Sequence, residues 1–163
     1  MPDRCCVLQS SSWVLLSLGA SLLLILVRPL AAEEPTMFDV ERVQALVDRL
    51  RAELRLAAPV TVVVQPRVAL IVSVEAPTGN EQPFVLAIEE HFLDRLSAEE
   101  LDAAVAHELG HVWLFTHHPY LQTERMANEI AMRVVSRESL VSVYHRMWEH
   151  GGTRSELETV LGP

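Results

Sequence analysis

The chain has 163 residues, and its formal net charge is −9. This length suits a single domain, and the acidic balance argues against a nucleic-acid partner, because polyphosphate repels a negatively charged surface. The two cysteines, Cys5 and Cys6, both precede a hydrophobic run, so the domain that follows has no disulfide and no cysteine-bound metal. Any metal in that domain must therefore be bound by His and carboxylate side chains.

The first predicted segment, residues 1–32, has the features of an export signal. Arg4 precedes an uncharged, mostly apolar run at residues 10–27, and small residues up to Ala32 suit cleavage after that position. The same run reaches the lower length limit of a membrane-spanning helix, so a retained anchor is the alternative. Both alternatives place residues 33–163 outside the cytoplasm, in the periplasm or the extracellular space.

The next part of the chain alternates between helical and extended patterns. Residues 37–57 carry apolar side chains at helical spacing, which predicts an amphipathic helix that ends before Pro59. Three apolar or β-branched runs then predict strands at Val60–Gln65, Val68–Glu75 and Phe84–Ile88.

The second half is predicted to be helical. Ser97 and Glu100 form a capping-box pattern that begins a helix. The predicted helices are about Ala98–Thr116, Leu121–Arg137, Leu140–Glu149 and Arg154–Leu161. Helix, three strands and then helices predict one α+β domain over residues 33–163.

The helix predicted after Ser97 contains the pattern H-E-x-x-H, formed by His107, Glu108 and His111. Residues i and i+4 lie on one helix face, so both imidazoles can bind one Zn²⁺ ion. Glu108 lies beside them and can accept a proton from a water molecule that the metal activates. The sequence therefore predicts His107 and His111 as metal ligands and Glu108 as the catalytic base of a zinc peptidase.

A catalytic zinc ion needs a third protein ligand, and the sequence offers two candidates. His117 follows at the spacing of the pattern H-E-x-x-H-x-x-G-x-x-H, but Leu114 occupies the position of the glycine that turns the chain. Glu124 is the favoured candidate, because it lies on the next predicted helix. Asn128, four residues later on the same face, could then hydrogen-bond to a zinc-bound imidazole.

Residues Phe84–His111 and the E-x-x-A-N pattern at Glu124–Asn128 together resemble the HtpX and CAAX-prenyl-protease type of gluzincin. That resemblance covers about residues 60–135, and E-x-x-A-N is also similar to the ImmA/IrrE-type peptidases. In the HtpX type the pattern is E-x-x-A-D, in which the Glu is the third zinc ligand and the Asp orients a ligand His. The resemblance implies a minimal zincin-like domain and a zinc metalloendopeptidase that hydrolyses peptides or unfolded proteins. It also implies that an edge strand, Val68–Glu75, pairs with the substrate.

Several questions stay open in the sequence. The resemblance also implies a donor to the reaction's oxyanion, for which the candidates are Tyr144, His145, His150 and Arg133. The alternative functions are a catalytically inactive zinc-containing protein that only binds its partner, and a structural domain with a chance motif. Residues 116–122 could also cover the site and make the protein latent.

Overall fold

The computed structural model describes residues 37–79, 82–151 and 157–162. These residues belong to the compact unit Glu33–Pro163, and the predicted export segment lies outside them. Among the described residues, no helix combines the length and the apolar character needed to cross a bilayer. The elements are α1 (Met37–Glu53), β1 (Val60–Gln65), β2 (Val72–Glu75), β3 (Phe84–Glu89), α2 (Glu90–Leu93), α3 (Ala98–His117), α4 (Glu124–Ala131), α5 (Arg137–Glu149) and α6 (Leu157–Leu161).

The three strands form one mixed sheet in the order β1-β3-β2. β1 runs parallel to β3, with Val60 opposite Phe84, whereas β2 runs antiparallel to β3, with Val72 opposite Ile88. β2 therefore forms an edge of this sheet. The predicted α+β class is confirmed, and the predicted span of β1 is the observed one.

The helices α1 and α3 pack against the sheet and against each other. The apolar face of α1 is buried at Val43, Val47 and Leu50. Burial of each such side chain contributes about 1.5–3 kcal/mol relative to exposure, so this face anchors α1 to the core. α3 is apolar on nearly all sides of its central turns, and this pattern fits a helix that lies between the sheet and α4 and α5.

Helix α1 ends at Glu53, whereas the sequence predicts a helix over residues 37–57. Arg55 adopts a left-handed backbone with φ of 54°. The amide of Leu56 donates to the carbonyl of Arg51 at 2.9 Å, and the amide of Arg55 donates to the carbonyl of Ala52 at 3.1 Å. This pair of bonds is the Schellman ending of a helix, which here occurs without the usual glycine.

Other predicted boundaries also need correction. β2 begins at Val72 and not at Val68, because residue 68 has no regular structure and residues 69–71 form bends instead of a ladder. The predicted helix Leu121–Arg137 is limited to Glu124–Ala131, since Thr123 caps its start. α5 starts at Arg137, three residues earlier than predicted, because the Ser136 hydroxyl accepts from the amide of Ser139 at 3.0 Å.

The last two predicted helices end at the residues that the sequence predicts. α6 is observed at Leu157–Leu161, and the earlier part of its predicted range, residues 154–156, lies outside the described residues. α5 ends at Glu149 as predicted, and Gly151 just beyond it has a φ of 106° that favours glycine.

The predicted capping box at the start of α3 is present. The Ser97 hydroxyl accepts from the amide of Glu100 at 3.2 Å, and the Glu100 carboxylate accepts from the amide of Ser97 at 2.9 Å. The second oxygen of Glu100 accepts from Ser142 at 2.6 Å and from Arg146 at 3.1 Å. The same carboxylate therefore caps α3 and holds it against α5, which fixes the axis of the helix that carries the H-E-x-x-H residues.

Candidate metal centre

The two histidines of the H-E-x-x-H pattern lie one turn apart on α3 and face the same cleft. The Nε2 atoms of His107 and His111 are 3.2 Å apart, and the two rings meet edge to face. Helical spacing of four residues creates this proximity, because such side chains lie one above the other on the helix surface.

Glu124 approaches the two imidazoles from the first turn of α4. Its Oε2 lies 3.1 Å from Nε2 of His107, and its Oε1 lies 3.5 Å from Nε2 of His111. The Thr123 hydroxyl caps this helix by accepting from the amide of Met126 at 3.2 Å. The cap fixes where α4 begins, so it also fixes the position from which Glu124 reaches the histidines.

The donor set of these three side chains fits one small metal ion. Their donor atoms all lie within 4.8 Å of one another. In a tetrahedral site with metal–ligand distances of about 2.0–2.1 Å, the ligand atoms stand roughly 3.3 Å apart. The two imidazole nitrogens lie 3.2 Å apart, which is close to that spacing. Oε2 of Glu124 lies 3.1 Å from the nitrogen of His107, and Oε1 lies 3.5 Å from that of His111, so one carboxylate reaches both. His107, His111 and Glu124 could therefore hold one metal ion.

Asn128 determines which nitrogen of His107 carries a proton. The Asn128 Nδ2 atom donates to the carbonyl of Val160 at 2.8 Å, and a carbonyl can only accept. The amide oxygen of Asn128 must then face Nδ1 of His107, which lies 2.8 Å away and donates to it. In the neutral imidazole, Nε2 of His107 keeps its lone pair directed at Glu124 and His111, which is the tautomer that a metal ligand needs. In the protonated imidazolium, the same Nε2 instead donates a hydrogen bond to Glu124.

Glu108 is almost fully buried beneath the cleft. The backbone amide of Val74, in the edge strand β2, donates a hydrogen bond to its carboxylate. Burial raises the pKa of Glu108, and the nearby imidazoles of His107 and His111 offset this only in part. A carboxylate with a raised pKa is a stronger proton acceptor than an ordinary carboxylate, and this one lies beside the three side chains that could hold a metal.

The carboxylate of Glu124 and the imidazoles beside it favour each other's charged forms. Hydrogen bonds from His107 and His111 hold the pKa of the Glu124 carboxyl well below its usual range. Burial opposes the protonation of His107, but the hydrogen bond to Glu124 and the charges of Glu108 and Glu124 outweigh it and raise the His107 pKa. The cluster thus combines an ionised carboxylate with two imidazoles, which are typical ligands of zinc and similar divalent ions.

The alternative third ligand, His117, lies elsewhere. Its ring stacks on Trp113 with the ring centroids 4.1 Å apart, and its Nδ1 donates to the Trp113 carbonyl at 2.9 Å. It is absent from the group of side chains that could share a metal with His107, His111 and Glu124. The geometry of the described residues therefore favours Glu124 over His117.

One of the four candidate oxyanion donors lines the cleft together with His107, His111 and Glu124. Tyr144 lies there, with its ring 6.1 Å from that of His107, and burial raises the pKa of its hydroxyl to about 12. His150 is instead engaged with Glu89, His145 packs on Trp148, and Arg133 lies over Trp113. Because its pKa is raised, the Tyr144 hydroxyl stays protonated at neutral pH and can donate a hydrogen bond.

Two residues that contact this cluster were not among the predicted site residues. Gln122 places its Oε1 at 3.4 Å from Nδ1 of His111, and the Val160 carbonyl holds Asn128. Gln122 could have been considered, because it lies two residues before Glu124. The sequence contained no signal for Val160, which lies 32 residues beyond its partner and interacts through its backbone.

The cluster lies in a cleft of about 540 Å³ between the edge strand β2 and helix α5. Apart from Glu108, Glu124 and the two histidines, the lining residues described for this cleft are uncharged. A cleft of this size beside an edge strand can accommodate several residues of an extended peptide.

Comparison with known proteins identifies the fold. No protein-family model matches the chain, and no curated protein matches it. The crystal structure of the metallopeptidase zymogen of Pyrococcus abyssi abylysin is similar, with a TM-score of 0.50 and 20% sequence identity. The match covers 67% of this chain and 94% of that chain. The chain therefore shares its α+β fold with that structure.

Proposed function

We propose that this protein is a zinc-dependent metalloendopeptidase that hydrolyses peptide bonds in peptides or unfolded proteins. The observation that carries the proposal is the convergence of His107, His111 and Glu124 on one point of a peptide-sized cleft, with Glu108 buried beside them. The similarity in fold to a metallopeptidase zymogen supports the same conclusion. The resemblance of the two sequence patterns to HtpX and CAAX-prenyl-protease peptidases makes zinc the expected metal.

Each residue has a distinct role in this proposal. His107, His111 and Glu124 would hold the metal, which would supply a Lewis acid that activates water near neutral pH and polarises the scissile carbonyl. Glu108 accepts the proton of the attacking water and later passes it to the leaving amine. Tyr144, which keeps its proton at neutral pH, donates a hydrogen bond to the oxygen of the substrate carbonyl. The unpaired side of β2 aligns the extended substrate across the cleft.

Metal content of the purified full chain, kept in detergent because of its apolar run, tests the ligand assignment. We expect about one zinc per chain in the wild type, as three protein ligands define one site. Zinc should be lost in Glu124→Gln but retained in Glu129→Gln, its matched control on the same helix. It should likewise be lost in His111→Ala and retained in His117→Ala. Absence of zinc from every form would refute the proposal, and loss of zinc in His117→Ala alone would refute Glu124 as the third ligand.

Proteolysis of a denatured, fluorescently labelled casein separates an active enzyme from the alternative of an inactive zinc-containing binding protein. Glu108→Gln should keep its zinc and lose activity by about 10²–10⁴-fold, since the proton acceptor is gone. Because the similar solved structure is that of a zymogen, the assay is performed before and after limited proteolysis of the chain. Zinc without cleavage under both conditions would favour the inactive binding protein.

We also propose that the domain works outside the cytoplasm, in the periplasm or extracellular space. The support is the pattern of residues 1–32, which precede the described part of the chain. N-terminal sequencing of the natural protein distinguishes the two forms, since cleavage after Ala32 leaves Glu33 as the first residue. A protein that keeps residues 10–27 and sediments with membranes would be the anchored form, and one found in the cytosol would contradict export.

A further inference from the structure

Asn128 connects a metal-binding histidine to the end of the chain. The side chain is completely buried, with 0% of its surface exposed. Its Oδ1 accepts from His107 at 2.8 Å, and its Nδ2 donates to the Tyr144 hydroxyl and to the Val160 carbonyl, each at 2.8 Å. Both hydrogens of Nδ2 and the amide oxygen are therefore engaged, and the amide has one possible orientation.

The Val160 carbonyl discriminates between an amide and a carboxylate at position 128. A hydroxyl can donate or accept, so Tyr144 could adapt to either group by rotating its proton. A backbone carbonyl can only accept, so a carboxylate oxygen in place of Nδ2 would face the Val160 oxygen with no hydrogen between them. A buried acceptor left without a donor is costly, and a negative charge beside it is costlier.

Helix α6, which contains Val160, is held in place by a second polar contact. Arg137, the first residue of α5, donates to the carbonyls of Leu161 at 2.8 Å and of Gly162 at 2.7 Å. Val160 and Leu161 are also buried against the domain. The three carbonyls at the end of α6 thus all have side-chain donors, and the Val160 carbonyl occupies a fixed position.

We infer that α6 is a positioning element of the metal centre, and that the Val160 carbonyl requires Asn at position 128. The docked helix fixes the amide of Asn128, the amide fixes the ring and tautomer of His107, and α6 thereby acts on the metal through two side chains. This accounts for E-x-x-A-N in this chain where peptidases of the HtpX type have E-x-x-A-D. The effect on metal affinity rests on the proposed metal site, whereas the effect on α6 does not.

Hydrogen exchange of the metal-free full chain tests the contact itself. Asn128→Asp should increase exchange of the α6 amides, because the carboxylate cannot donate to Val160 and α6 undocks. Gln122→Glu is the matched control: it converts an amide into a carboxylate beside the other histidine, and because the hydrogen bonds of Gln122 run to His111 and not to α6, it should leave that exchange unchanged. Unaltered α6 exchange in Asn128→Asp would overturn the inference even if no metal ever binds.

A double-mutant cycle tests the coupling to the metal, with Co²⁺ titration followed by its visible absorption. Asn128→Asp should lower affinity by about 10–100-fold, the usual cost of disturbing the group that orients a metal-bound histidine, because the side chain at position 128 loses the contact to Val160 that fixes it. Arg137→Met, which loosens α6 but keeps the alkyl chain, should lower affinity in the wild-type chain and have little further effect in a chain that already carries Asn128→Asp. If Arg137→Met lowered the Co²⁺ affinity by the same factor with and without Asn128→Asp, α6 would not act through Asn128.

Deletion of residues 157–163 provides a second arm of the same cycle. Without α6, the Val160 carbonyl is absent, so Asn128→Asp should now cost less than about threefold in Co²⁺ affinity. If the deletion chain fails to fold, the Arg137→Met cycle still decides the question. An equal cost of Asn128→Asp in both chains would overturn the inference.

Discussion

The Gly110 backbone lies directly against the carbonyl of Ala127. A β-carbon added to Gly110 would stand 2.3 Å from that oxygen and 2.9 Å from its carbon, which is closer than non-bonded atoms approach. Gly110 is the residue before His111 on α3, and Ala127 lies between Glu124 and Asn128 on α4. The absence of one side chain thus allows the two helices to approach until His107, His111 and Glu124 reach the same point.

Gly110→Ala should destabilise the protein by about 1–3 kcal/mol, because the contacted atoms are backbone and the helices must separate. The sign of this stability change is informative, since replacing Gly by Ala in a helix normally stabilises it by about 1 kcal/mol. Denaturant unfolding measures the effect, and zinc affinity should fall with it because α4 carries Glu124. In Gly79→Ala, the control, the nearest atom would be a Gln82 side-chain carbon at 3.8 Å, so little change is expected. A neutral or stabilising Gly110→Ala would contradict the close approach.

Glu100 should contribute stability that depends on pH. Its burial opposes ionisation, but hydrogen bonds from Ser142, Ser97 and Arg146 outweigh this and lower its pKa to about 2. A pKa that is lower in the folded state adds stability above the unfolded value of 4.5, and this stability is lost as the pH falls towards 2. Glu100→Gln should therefore be less stable than wild type by about 2–3 kcal/mol at pH 7, with the difference shrinking below pH 4.5.

Urea unfolding of the two proteins between pH 7 and pH 3 measures that difference. Glu99→Gln is the control, because Glu99 lies in the same first turn of α3 but is exposed. Its stability difference from wild type should stay within about 0.5 kcal/mol across the range. A Glu100→Gln difference that is independent of pH would mean that the charge of this carboxylate does not stabilise the fold.

Arg55→Gly should stabilise the protein by about 0.5–1 kcal/mol, which corresponds to a rise in Tm of a few degrees. Arg55 holds the left-handed φ of 54° that ends α1, and this conformation strains any residue with a β-carbon. Glycine removes that strain, although its more flexible unfolded state cancels part of the gain. Arg55→Ala retains the β-carbon and should give no comparable gain in thermal unfolding, so equal Tm values for the two variants would contradict this explanation.

The parts of the structure that the sequence predicted are those set by local spacing. The i, i+4 relation of His107 and His111 and the Ser97 cap depend only on neighbours along one helix. The N-terminal shortening of β2 could not be predicted, because pairing with β3 and not β-propensity decides where the ladder starts. The contact between Asn128 and the Val160 carbonyl could not be predicted for a related reason: a backbone carbonyl from a distant helix has no sequence signature.

Phe115 should determine a preference for large apolar side chains in the substrate, if the proposed peptidase function holds. It follows His111 by one turn, lies 43% exposed at the cleft, and packs edgewise on Phe84 with the ring centroids 5.4 Å apart. Leu70, which is 65% exposed, lines the same cleft. Peptides that differ only in one residue near the scissile bond should thus be cleaved about 10–100-fold better with Leu or Phe than with Ala.

Phe115→Ala should reduce that preference by about 10-fold in kcat/KM while cleavage of the Ala peptide changes little, because only the apolar contact is removed. Tyr120→Ala is the control, since Tyr120 is 97% exposed and is not among the residues that line the cleft. Its preference should equal that of the wild type. Efficient cleavage without an apolar preference in the wild type would show that Phe115 and Leu70 do not contact the substrate, while leaving the metal-centre assignment intact.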